Sequence, residues 1–253
     1  MNGDFDKLVA EAAEVPVDGW DFSWLDGRAT EERPSWGYSR LLARRLERAR
    51  VAVDLQTGGG EVLNSAPRMA PTTVATESWP DNLARARALL GPRGVTVVAE
   101  SGRPPLPFAT GSFDLAVSRH PVDTHWRELS RILRPGGLYL SQQVGPASVF
   151  ELAEFFLGPL PASSYRARHP EDARTAAREV GLEVLDLRCE RLRMEFGDIG
   201  AVVYFLRKVV WIVPGFDVRT HRERLLRLHR LIEERGPFVA HSSRFLIEAR
   251  KTG

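Results

Sequence analysis

The chain has 253 residues, 43% hydrophobic and 27% charged, enough to bury a core and close to globular averages, which excludes a disordered or fibrous polypeptide. No apolar run approaches the roughly 20 residues of a membrane helix, and a net charge of +2 from 35 interspersed basic and 33 acidic residues leaves no electrostatic footprint that demands nucleic acid. The single Cys189 excludes an intrachain disulfide and a cysteine zinc site, and its apolar-alternating surroundings predict a small buried residue.

Met1 to Ala13 carries several acids and lacks the basic start and apolar stretch of a secretory signal, so a cytoplasmic location is expected. Gly19 to Tyr38 holds Trp20, Phe22, Trp24, Trp36 and Tyr38 among turn residues, and Ser39 to Ala49 reads as an Arg-rich helix. Residues 1–49 are therefore expected to form a helical and aromatic cap packed on the core. Its rings either cover a ligand, with Trp24 as a candidate for acceptor binding, or serve only to pack the segment.

From Arg50 onward, β-branched runs alternate with helix-like segments, the pattern of a mostly parallel sheet covered on both faces. Strands are predicted at Val51 to Leu55, Thr72 to Glu77, Val95 to Ala99, Phe113 to Ser118 and Leu138 to Val144. Pro80 to Leu90 and Asp123 to Leu133 read as crossover helices, stopped by Gly91-Pro92 and by Arg134-Pro135-Gly136-Gly137. Further on, helices are expected over Ser148 to Leu157, Glu171 to Val180, Ile199 to Trp211 and Val218 to Arg235, with a Pro- and Ser-rich loop over Gly158 to His169. Leu182 to Phe196 and Phe238 to Arg250 complete seven strands. The expectation is one α/β domain over residues 50–253, with helical insertions near 145–170 and 197–236.

The run Val51-Ala52-Val53-Asp54-Leu55-Gln56-Thr57-Gly58-Gly59-Gly60 places an acid at a strand end and three glycines in the turn after it, where backbone can approach a ligand without a Cβ in the way. Glu77 closes the second strand, positioned to hold the hydroxyls of a ribose. A dinucleotide site would continue Gly-x-Gly-x-x-Gly, but the third position counted from Gly58 and Gly60 is Leu63, and no Gly-Lys-Ser/Thr ending marks a P-loop.

These features, with Leu106-Pro107-Phe108, Ser112-Phe113-Asp114-Leu115 and Leu133-Arg134-Pro135-Gly136-Gly137, resemble the small-molecule "type 11" group of class I S-adenosylmethionine-dependent methyltransferases in order and spacing over residues 36–145. The resemblance implies a Rossmann-like fold and S-adenosylmethionine as cofactor, with S-adenosylhomocysteine as product. It implies that Asp54, Gln56, Gly58 and Gly60 flank the methionine part, that Glu77 grips the ribose, and that Trp79 and Glu100 lie near the adenine. Ser118 and Tyr38 are added as cofactor contacts, with Tyr38 or Arg40 placed toward the methionine carboxylate. One departure stands out: Gln56 occupies the first glycine position of the family's acid-x-Gly-x-Gly-x-Gly pattern.

Methyl transfer needs an in-line approach, so positioning dominates and a base is needed only for hydroxyl or ammonium acceptors. His120, after the fourth strand, is the candidate base, and Arg119 and Gln142 are candidates for holding the acceptor, with Gln143 beside them. His120, Asp123 and His125 have a short, proline-interrupted spacing that argues against a metal, and none is expected. The expected function is methyl transfer to an O or N atom of a small molecule, with no membrane partner and a homodimer admitted. Two rivals are an RNA methyltransferase, disfavoured by the dispersed arginines, and a methyltransferase-like protein that binds the cofactor without turnover, to which Gln56 points.

Overall fold

The computed structural model describes residues 2–19 and 21–253, so Trp20 of the aromatic segment lies outside the described residues. The chain folds as two units, each assembled from segments distant in sequence. Unit 1 comprises Met1–Arg33, Pro146–Ala167 and Arg191–Ser243, and unit 2 comprises Pro34–Gly145, Arg168–Glu190 and Arg244–Gly253. The division cuts the expected cap at residue 33, because the helix that follows packs into unit 2.

Unit 2 carries the alternating pattern. Helix α2 (Tyr38–Arg48) precedes β2 (Val51–Asp54), the four-residue α3 (Glu61–Asn64), β3 (Thr72–Glu77), α4 (Pro80–Leu90), β4 (Thr96–Ala99), β5 (Phe113–Arg119), α5 (Trp126–Ile132) and β6 (Leu133–Val144). After α8 (Pro170–Glu179) come the first residues of β7 (Leu182–Phe196) and later the last residues of β8 (Phe238–Lys251). The strand order is β4-β3-β2-β5-β6-β8-β7, parallel through the first four pairs. β8 joins antiparallel from Leu138 opposite Arg250 to Val144 opposite Arg244. This is the expected Rossmann-like, mostly parallel sheet. One buried cluster packs α2 and α4 through Leu42, Leu46, Ala86 and Leu90, and another packs α5 and α8 through Leu129, Ile132 and Ala177, so helices cover both faces. Proline at the first position of α4 needs no hydrogen-bond donor and presets the helical φ, which starts that helix where the sequence predicts.

Two boundaries move for local reasons. The helix expected from Asp123 begins at Trp126, because the backbone of Val122 and Asp123 bonds to a side chain instead of entering a helix. β6 begins at Leu133, since the proline-glycine turn is absorbed as a register shift against β5.

Unit 1 holds an additional element order: α1 (Asn2–Glu14), β1 (Ala29–Glu31), α6 (Phe150–Leu157), α7 (Ala162–Arg166), α9 (Ile199–Lys208) and α10 (Arg222–Arg235). β1 is an eighth strand, paired antiparallel with Met194–Phe196 of β7, and corrects the expected count of seven. Helix α9 is buried on nearly every side, as an apolar helix with no polar face must be, and the Asp198 side chain caps its start by accepting from Ala201 N at 2.8 Å. The loop expected over Gly158 to His169 contains the short α7. Cys189 is exposed and not buried: Leu182, Leu192, Met194 and Phe196 set the buried side of β7 on even positions, and Cys189 falls on the other. No helix among the described residues is long and apolar enough to cross a membrane.

Candidate active site

The parallel strands β2, β3, β4 and β5 end on one edge of the unit 2 sheet, and this edge collects most of the predicted residues. Asp54 ends β2, buried, with its carboxylate accepting from Thr57 Oγ1 at 2.7 Å. Burial pushes its pKa up to about 7, against the lowering effect of Thr57 and with a further raising effect from Glu77. Glu77 ends β3, also buried. Its Oε2 accepts from Gly58 N, and its Oε1 from Ser78 N and Trp79 N, each at 2.8 Å. The carboxylate thus ties the glycine turn to the end of β3, and it retains acceptor capacity because a carboxylate offers about four lone-pair directions. Glu100, after β4, accepts from Gly102 N at 2.8 Å, and the Trp79 ring is 63% exposed beside these acids in sequence.

The glycine turn itself has two left-handed positions of opposite kind. Gly60 has φ 89°, and a Cβ built there would meet Leu90 Cδ1 at 2.8 Å, so its missing side chain lets the turn pack on α4; the sequence alone suggested clearance for a ligand. Gln56 has φ 57° and keeps its side chain. Its Nε2 donates to Asp123 O and its Oε1 accepts from Val122 N, both at 2.7 Å, while its own N–H donates to Thr76 Oγ1 at 3.2 Å. Val122 and Asp123 lie in the segment after β5.

The ends of β5 and β6 are tied by neutral bonds. Ser118 is buried, its hydroxyl bonded to Tyr139 OH at 2.8 Å and Ser141 Oγ at 2.9 Å, and its carbonyl accepts from Tyr38 OH at 2.9 Å. Trp36 Nε1 donates to Gln142 Oε1 at 2.8 Å, and Gln142 Nε2 lies 3.1 Å from His120 Nε2. An indole N–H can only donate, which fixes the Gln142 amide so that its nitrogen donates to His120. His120 Nε2 is therefore an acceptor and the ring is neutral with its proton on Nδ1. Burial, then Arg119 and Arg244, hold its pKa well below the ordinary histidine value. His120 also has φ 53°, and its N–H donates to Gln142 O at 2.7 Å. Gln143 donates to Thr124 Oγ1 at 3.2 Å. His125 and Asp123 approach at 3.6 Å, and no group of three metal-ligating side chains occurs among the described residues.

Asp54, Gln56, Gly58, Gly60, Glu77 and Glu100 thus cluster at the ends of β2, β3 and β4, while Ser118, Arg119, His120, Tyr38 and Gln142 cluster at the ends of β5 and β6. Arg40 is exposed on α2. Trp24 belongs to unit 1, where its ring packs at a tilt of 35° against Tyr204, with centroids 4.9 Å apart, and lies under the Arg28 guanidinium at 4.2 Å. Sequence reasoning missed the partnership of Trp36 with His120 through Gln142, and the attachment of Gln56 to Val122 and Asp123. Each links residues far apart in the chain, 66 and 67 positions for Gln56, and only the resemblance singled out position 56 at all.

The chemistry of the donor set fits a nucleoside with a cationic tail: acids at the ends of β2, β3 and β4, and a glycine turn between them.

Residues 53–141 match the family model described as a methyltransferase domain, type 11, a span that runs from β2 to β6 and contains the whole carboxylate edge. No curated protein sequence matches the chain. Among solved structures, the chain is similar to the YcgJ protein from Bacillus subtilis, at 16% identity and a TM-score of 0.61, over 85% of this chain and 98% of that one. It is similar to an S-adenosylmethionine-dependent methyltransferase from Mesorhizobium loti, at 18% identity and a TM-score of 0.51, over 85% and 97%. It is also similar to the [4+2]-cyclase SpnF, at 18% identity and a TM-score of 0.53, over 98% and 93%. At these identities the likeness establishes the fold.

Proposed function

We propose that this chain, an S-adenosylmethionine-dependent methyltransferase by its matched domain and its Rossmann-like fold, transfers the methyl group to an O or N nucleophile of a small-molecule acceptor. The observation that carries the reading is the row of acids at the ends of β2, β3 and β4, inside the matched span. S-adenosylmethionine supplies a methyl group already activated on a sulfonium, so the protein need only bind, orient and exclude water.

Glu77, and Asp54 once a positive charge lies beside it to favour its ionised form, would give the edge a negative field suited to a cation. Glu77 would hold the ribose hydroxyls with its remaining acceptor capacity, and Glu100 and Trp79 would bound the adenine. On the acceptor side, His120 presents an Nδ1–H donor, because its Nε2 is taken by Gln142. It would orient the acceptor and not take its proton. Arg119 lies next to it in the chain.

A small molecule is favoured over RNA because arginines in both units are each paired with an acid: Arg45 with Glu248, Arg131 with Glu128, Arg191 with Glu151, Arg193 with Glu195, Arg222 with Asp6 and Arg250 with Glu183. Paired charges release few counterions on meeting phosphate, so they build no nucleic-acid stripe. Incubation with methyl-labelled S-adenosylmethionine and either a metabolite extract or tRNA and rRNA fragments tests the reading. Label in a small molecule with matching release of S-adenosylhomocysteine is expected. Label in RNA would overturn the acceptor class, and no release with any extract would favour a protein that binds without turnover.

A further inference from the structure

We infer that Gln56 is a latch: its carboxamide holds the Pro121–Asp123 segment across the cofactor cleft, and S-adenosylmethionine enters only when the bonds to Val122 and Asp123 release. The inference rests on the cofactor reading above. A primary amide carries one acceptor face and one donor face, the same pair a neighbouring strand would offer. Gln56 uses both on the backbone of one short segment, at 2.7 Å each. It does so from a left-handed backbone that disfavours any residue with a Cβ, at the position where the resembled family has glycine. The two side-chain bonds offset that backbone cost.

Little space lies beside the latch. The space between Gln56, Glu100, Pro121 and Asp123 on one side and Leu106 and Tyr139 on the other measures ≈ 20 Å³. That is about the space of one water, whereas small-molecule pockets run to about 300–1,000 Å³. Of the acids at the ends of β2, β3 and β4 only Glu100 lines this space, with Gln56 and the segment it holds on the other side, so a ligand reaching from Glu100 toward Asp54 and Glu77 requires the segment to shift. Val122 is 92% exposed and the Asp123 side chain is 72% exposed, so lifting the tip uncovers little apolar surface. The ends of the segment are anchored: His120 N–H donates to Gln142 O at 2.7 Å on one side, and Gln143 holds Thr124 on the other. Between these anchors Gln56 spans the gap from the glycine turn. Releasing it would free two backbone groups on an exposed segment.

The test uses the full chain with Gln56→Gly and Gln56→Asn. Asparagine tolerates the left-handed backbone but is one methylene too short to reach both groups, so it removes the latch without relying on glycine's flexibility. S-adenosylhomocysteine is titrated into the parent and both variants, and deuterium exchange is followed in the peptide carrying Val122 and Asp123 in the ligand-free proteins. If the parent is shut about nine-tenths of the time, both variants should bind about tenfold more tightly, through faster association with unchanged dissociation. Exchange at Val122 should rise in both. Equal or weaker affinity in the variants, or unchanged exchange, overturns the latch. Absence of binding by all three proteins instead defeats the cofactor reading, and the gating falls with it.

Discussion

The ends of β2 and β3 and the ends of β5 and β6 share one sheet edge in unit 2 but solve different problems. The first pair ends in carboxylates, Asp54 and Glu77, buried and held by a hydroxyl and by backbone N–H groups. The second pair ends in a neutral chain, from Trp36 through Gln142 to His120, in which the Trp36 and Gln142 N–H groups each meet an acceptor and fix the orientation of the imidazole. Under the proposed function the charged ends would meet the cationic cofactor and the neutral, ordered ends would meet the acceptor. Methyl transfer from a sulfonium needs both and asks little of a base.

Substitutions at these two regions should separate structure, charge and orientation. The largest effect belongs to Gly60→Val, which drives a β-branched side chain into Leu90 from a left-handed backbone and should cost about 3 kcal/mol or more of stability in denaturant unfolding. A variant of unchanged stability that has lost only cofactor affinity would restore a ligand-facing role for Gly60.

Asp54 comes next. Its folded pKa of about 7 lies above the ordinary aspartate value of 3.8, so the folded protein binds the proton more tightly and the parent should lose stability as pH rises through that window. Above it the loss is complete and constant. Asp54→Asn should therefore match the parent near pH 4 and exceed it by about 2–4 kcal/mol at pH 8 in the ligand-free protein. Parallel stability curves for the two proteins would show that Asp54 is not a stored charge.

The smallest effect is expected at the neutral region. His120→Ala should leave cofactor affinity intact and lower turnover about tenfold, the worth of one orienting hydrogen bond. The parent's turnover should show no ionisation near the ordinary histidine value of about 6.5, because the ring stays neutral. A loss of about 10²–10⁴ together with such an ionisation would make His120 a base after all.

Much of this arrangement is legible in the chain. β3 from Thr72 to Glu77, α4 from Pro80 to Leu90 and β7 from Leu182 to Phe196 lie where periodicity, the proline start and the apolar alternation place them. β1 is not legible, because Ala29-Thr30-Glu31 has no apolar run and exists through its pairing with Met194–Phe196. The exposure of Cys189 depends on which parity of β7 faces inward, set by Leu192, Met194 and Phe196 and not by the residues around the cysteine. At the site, the acids are legible as strand ends, but their partners are not. Nothing near Gly60 points to Leu90, and nothing near Gln56 points to Val122, because each partner is brought in by the crossover that follows a different strand.

The most direct test of the central claim is a titration of S-adenosylhomocysteine against the parent and Glu77→Gln. The substitution keeps the side chain's shape and one acceptor oxygen for the backbone, but removes the charge that would hold the ribose. The account predicts saturable binding by the parent and about 10- to 150-fold weaker binding by the variant, the worth of about 1.5–3 kcal/mol for a hydrogen bond to a charged group. No binding by the parent, or equal affinity in a folded Glu77→Gln protein, would contradict it.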